Sequence, residues 1–141
     1  MSADRFFLDT NIFVYCFDDG AAAKRKRAGQ LVELALASRR GVVSAQVVRE
    51  FCNVVLRTAR GGPRPADLDF YLDATFAPLL AATPSMKLFH SGLWLQQRYR
   101  LGWYDALIVA GAQQARCTIL YSEDLQHGQQ FDAVRVEDPF R

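Results

Sequence analysis

The chain has 141 residues, half of them hydrophobic, which is about one domain's length and enough to bury a core without covalent staples. The three cysteines, Cys16, Cys52 and Cys117, cannot all pair with one another and none has zinc-ligand spacing, so reduced thiols in a cytoplasmic protein are expected. No apolar run approaches the roughly 20 residues that span a bilayer, and the N-terminal residues lack a secretory pattern, which leaves no membrane role and a single domain over residues 1–141.

The net charge is only +2, but the first 64 residues carry 11 of the 17 Lys and Arg. The dense part is Lys24-Arg25-Lys26-Arg27. Such a run is ordinarily a solvated helix face, and a surface for a polyanion is the second reading.

In chain order, Arg5 to Leu8 reads as a short buried strand that runs into a helix at Asp9-Thr10-Asn11, whose side-chain oxygens suit a cap. Ala21 to Arg39 places Ala28, Leu31, Val32, Ala35 and Leu36 on one helical face, with Gly41 as its stop. Val42-Val43 is a second strand. Ser44 then caps a helix striped by Val47, Val48, Phe51, Val54 and Val55, and Glu50 falls at the edge of that stripe. Arg60 to Pro65 is a loop.

Asp67 to Phe76 is expected as a helix, Leu79 to Thr83 as a strand, and Ser85 to Tyr99 as a helix closed by Gly102. Asp105 sits in the first turn of the apolar helix that follows, where a carboxylate meets the positive helix end. Thr118 to Tyr121 is a strand that delivers Ser122-Glu123-Asp124, and Val134 to Val136 is the last strand. Alternating strands and helices imply an α/β fold with a mainly parallel sheet covered on both faces. Sites in such sheets form beyond the carboxyl ends of the strands, so Asp9, Glu50 and Asp124 should converge there.

Each acid has an ordinary explanation. Asp9 caps a helix, Asp105 is a first-turn acid, Glu50 pairs with Arg49 or Arg57, and Asp124 turns the chain. Four of them at the ends of buried segments are harder to explain separately, because a carboxylate beside a dry segment needs a partner. Carboxylates without His or Cys select Mg²⁺ or Mn²⁺ over zinc. A bound cation of that kind activates water and neutralises phosphoryl charge, which fits phosphodiester hydrolysis with either one ion or two.

The segments Phe7 to Tyr15, Ser44 to Glu50, Trp103 to Ile108 and Leu120 to Gly128 resemble, in order and spacing, the PIN-domain ribonucleases, most closely the VapC-type toxins of bacterial toxin-antitoxin pairs. The resemblance implies a three-layer α/β/α sandwich and Mg²⁺- or Mn²⁺-dependent cleavage of RNA that leaves 5′-phosphate and 3′-hydroxyl ends. Its metal-binding set corresponds to Asp9, Glu50, Asp105 and Asp124, with Glu50 either binding metal or orienting its water, and with Asn11 and Ser122 as polar support. A small antitoxin protein and a homodimer are the implied partners.

Two readings compete. One is a non-catalytic module that binds RNA or a partner through the basic first half. The other is a phosphotransferase with an aspartyl nucleophile, against which Asn11 stands where a second Asp is usual. Glu123 is expected to point away from Asp124, and His127 to occupy a turn. Trp94, Tyr99, Trp103 and Tyr104 are expected in the core or a subunit interface, with base stacking as the alternative. The Gly61 to Pro65 segment is a candidate for substrate selection.

Overall fold

The computed structural model describes residues 4–58 and 65–141. The segment suggested for substrate selection lies outside them, apart from Pro65, which opens a helix. Six strands form one sheet: β1 (Arg5–Leu8), β2 (Gly41–Ser44), β3 (Leu80–Ala82), β4 (Cys117–Tyr121), β5 (Gln130–Phe131) and β6 (Val134–Glu137). Their order is β3-β2-β1-β4-β6-β5, and every pairing is parallel except β5 with β6. The edge strand β5 was not expected; two residues are too short for an alternating pattern to register.

The helices are α1 (Thr10–Tyr15), α2 (Ala22–Ser38), α3 (Ala45–Arg57), α4 (Pro65–Tyr71), α5 (Ala77–Leu79), α6 (Met86–Tyr99) and α7 (Trp103–Gln114). A π-helical stretch, Leu72–Phe76, joins α4 to α5, so the helix expected over Asp67 to Phe76 is interrupted. Two helix stops also differ from expectation. Arg39 and Arg100, at φ of 60° and 56°, end α2 and α6 in the left-handed conformation, a role usually given to glycine.

Gly41 is instead the first residue of β2, and its lack of a side chain permits close packing. A Cβ there would lie 2.1 Å from the Ala35 Cβ. Gly41 pairs with Phe6, so α2 covers the face to which Phe6 points. Gly111 of α7 faces the Phe7 ring, and α7 therefore covers the opposite face. This is the expected three-layer α/β/α sandwich. Phe7, Leu8, Val42, Val43, Leu120 and Val136 fill the sheet's part of the core.

Beside the sheet, Phe13, Phe17, Phe51, Tyr71 and Phe76 form an aromatic cluster with ring centroids 4.8–6.4 Å apart, which fastens α1 and α3 to the π-helical stretch. The three cysteines are free, and burial raises the pKa of each thiol. Among the described residues no helix is long and apolar enough to cross a membrane.

Candidate active site

Parallel pairing brings the carboxyl ends of β1, β2 and β4 to one edge of the sheet, and the acids follow from it. Asp9 leaves β1 and caps α1, its Oδ1 accepting the Thr10 N–H at 2.7 Å. Its own N–H donates to the Tyr121 carbonyl, so β1 and β4 stay paired up to the site. Asp124 follows β4, Glu50 projects from the second turn of α3, and Asp105 lies in the first turn of α7.

Ser122 is fully buried and joins two of these acids. Its Oγ donates to Asp9 Oδ2 at 2.8 Å and accepts the Asp124 N–H at 3.2 Å. Asn11 Nδ2 donates to Asp124 Oδ2 at 3.1 Å. Glu50 accepts from Gln46 Nε2 at 2.6 Å and from Thr10 Oγ1 at 3.4 Å. The sequence offers Thr10 only as part of a helix cap and gives Gln46 no role, although Gln46 precedes Glu50 by four residues, the spacing at which helical side chains meet.

Asp124 and Glu50 each influence both Asp9 and Asp105 electrostatically. Burial pushes the Asp9 carboxyl up to about 6; hydrogen bonds from Ser122 and Thr10 oppose the rise, while Asp124 and Glu50 add to it. Burial also raises Asp105, again with Asp124 and Glu50 contributing. Among the described residues none of the four has a salt-bridge partner, so the pairing of Glu50 with Arg49 or Arg57 is absent.

An uncompensated group of carboxylates is a set of hard oxygen donors, and its chemistry fits Mg²⁺ or Mn²⁺. Among the described residues no three acidic, imidazole or thiol side chains stand close enough to hold an ion between them as they are.

Glu123 turns away from this group. It accepts from the Tyr15 hydroxyl and pairs with Lys24, both at 2.7 Å, and Lys24 also lies over the Tyr15 and Phe140 rings. Arg25 pairs with Asp19, and Arg27 Nε donates to the Pro139 carbonyl. Three cations of the basic run are thus engaged within the protein.

His127 Nδ1 accepts the Asp138 N–H, a turn contact. Of the four aromatics expected in the core or a subunit interface, Tyr99 packs against the core, whereas Trp94, Trp103 and Tyr104 are exposed on α6 and α7 and so are not core residues. Ser44 precedes α3 but its hydroxyl caps nothing; it is buried without a hydrogen-bond partner, beside a small cavity of about 30 Å³ that Gln46 and Arg49 also line.

Known structures share this fold. A chain in a toxin-antitoxin complex from Klebsiella pneumoniae is 19% identical, with 91% of this chain and 93% of that one covered and a TM-score of 0.64. DNA-bound VapBC from Salmonella typhimurium is 15% identical, covering 97% and 99%, with a TM-score of 0.68. VapBC2 from Rickettsia felis, bound to a promoter DNA fragment, is 19% identical, covering 94% and 96%, with a TM-score of 0.65. No curated protein matches the sequence. The sequence profile of the PIN domain matches residues 6–134, nearly the whole length, and the chain therefore belongs to the PIN domain family.

Proposed function

We propose that this protein is a metal-dependent endoribonuclease toxin, in which Asp9, Glu50, Asp105 and Asp124 hold Mg²⁺ or Mn²⁺ for hydrolysis of RNA phosphodiester bonds. The observation that carries the reading is electrostatic. Burial raises the Asp9 and Asp105 carboxyls, Asp124 and Glu50 add to the rise of both, and among the described residues none of the four acids has a salt-bridge partner. Membership of the PIN domain family supports the nuclease assignment.

Asp9 is the fixed point of the site, with both carboxylate oxygens engaged by Thr10 and Ser122. Asn11 and Ser122 hold Asp124 opposite it. Glu50 and Asp105 approach from α3 and α7 and complete the donor set. A divalent cation held by these groups supplies Lewis-acid activation of water and neutralises charge on the phosphoryl oxygen.

Likeness to chains of toxin-antitoxin complexes supports neutralisation by a small cognate antitoxin, and a homodimer belongs to the same reading. The test is incubation of purified protein with total cellular RNA in Mg²⁺, in Mn²⁺ and in EDTA, with Asp9→Asn as control. Discrete products that need metal and vanish in the variant are expected. RNA retained without any cutting would favour the non-catalytic binding module.

A further inference from the structure

We infer that Gln46 is a positioning residue, which acts through Glu50 to hold the α3 acid at a set distance from the α7 acid, Asp105. The inference rests on the proposed role of Glu50 in the metal-binding group and deepens it. Gln46 is buried in the first turn of α3, one helical turn before Glu50. Its Nε2 makes two bonds, one to Glu50 Oε1 at 2.6 Å and one to the Tyr104 carbonyl at 3.1 Å. Both partners are acceptors, so the geometry itself orients the amide with its NH₂ group toward them.

The second bond gives the residue its reach. The Tyr104 carbonyl belongs to the peptide bond that leads into Asp105, so one amide group ties the Glu50 carboxylate to the backbone at Asp105. The bond to Glu50 is short and has a carboxylate acceptor, the stronger class of hydrogen bond. Glu50's other bond, from Thr10, is long at 3.4 Å, which leaves Gln46 as its main restraint. A carboxylate free to rotate would drift from its neighbours under like-charge repulsion, and Gln46 opposes that drift without contributing charge.

The decisive variant is Gln46→Met, which keeps the length and removes both donors. Gln46→Glu, similar in size but unable to donate when ionised, is the second variant should the first not fold. Mn²⁺ affinity is read by calorimetry on folded protein, and RNA cleavage is measured alongside it. Loss of a group that orients a metal ligand typically costs about 10- to 100-fold in affinity or activity. We expect a fall of that size in Mn²⁺ affinity and in kcat, with the KM for RNA little changed.

In a Glu50→Ala background Gln46→Met should have no further effect, since the residue acts through the missing carboxylate. A merely structural role would instead lower the Tm while the folded variant bound Mn²⁺ normally. Affinity within about twofold of wild type, or an effect that persists without Glu50, overturns the assignment alone. Wild-type protein that binds no Mn²⁺ overturns the metal reading of the site and the assignment with it.

Discussion

Ser122 donates its hydroxyl to Asp9 Oδ2 at 2.8 Å, across 113 residues of chain, from a position with no solvent exposure. The same oxygen accepts the Asp124 N–H, so a single atom sets the spacing between the β1 acid and the β4 acid. It is also the largest influence holding the Asp9 pKa down against burial.

Replacing that hydroxyl tests the link. Ser122→Ala leaves one oxygen of Asp9 buried without its donor, at a stability cost of about 1–3 kcal/mol. The Asp9 carboxyl should then rise above its present value and bind cations more weakly. Cleavage is expected to fall about 10- to 100-fold, and Mn²⁺ titration of the folded variant should show a matching loss of affinity. A variant with wild-type kcat/KM would remove Ser122 from the site.

The Asp9 carboxyl gives a pH dependence whose sign is fixed. Its folded-state value is about 6, against an ordinary 3.8, so between these values the folded protein holds a proton that the unfolded chain has lost. Metal-free protein should therefore lose stability as pH rises from about 4 to 6, by at most about 3 kcal/mol, and stay at the lower level above that. Asp9→Asn removes the penalty while keeping an amide able to cap α1. In EDTA the variant should melt higher than wild type at pH 7.5, with the gain gone near pH 4, although it no longer cuts RNA. Identical melting profiles across that range would refute the burial argument.

Saturating Mg²⁺ or Mn²⁺ should raise the wild-type Tm at pH 7.5, since a ligand that binds only the folded state stabilises it. The rise should shrink toward pH 5, where Asp9 is protonated and no longer offers a charged donor. Asp9→Asn should show little rise at either pH. A metal-independent melting curve for wild type would count against the shared cation.

Glu123 and Asp124 are neighbours in sequence with different duties. Asp124 contacts Asn11 and Ser122, whereas Glu123 is held by Lys24 and Tyr15. Glu123→Gln should therefore keep cleavage within about threefold of wild type, well short of the tenfold that 1.4 kcal/mol of barrier represents. A loss comparable with Asp124→Asn would mean that Glu123 belongs to the site. The alternation of side chains beyond a strand end makes this division legible in the sequence.

Much of the site is legible for the same kind of reason. Asp9 and Ser122 sit immediately after the apolar runs that form β1 and β4, with Asp124 two residues beyond Ser122, so their convergence follows from parallel pairing. The bonds from Gln46 to the Tyr104 carbonyl and from Thr10 to Glu50 are not legible, because they depend on how α3 meets α7 and α1 in space. The ends of α2 and α6 escape a sequence reading because Arg39 and Arg100 adopt a left-handed backbone that sequence habit assigns to Gly41 and Gly102. Trp94, Trp103 and Tyr104 lie outside the core because an aromatic side chain carries no sign of which helix face the chain itself will cover.

Gly41, freed from the role of helix stop, lets α2 lie directly on β2. An alanine Cβ at this position would lie 2.1 Å from Ala35 Cβ and 2.7 Å from Ala35 Cα, so a side chain alone cannot give way and α2 must move off β2. Overpacking of this kind costs about 1–3 kcal/mol. Gly41→Ala should lower the urea midpoint with little change in slope, since the surface exposed on unfolding is nearly the same. Adding Ala35→Gly removes the clash between the two side chains but leaves the α2 backbone too near, and it places a glycine inside α2 at a cost of about 1 kcal/mol. The double variant should therefore recover only part of the loss and remain below wild type. Full additivity of the two losses would show that the helix and strand do not meet at these residues.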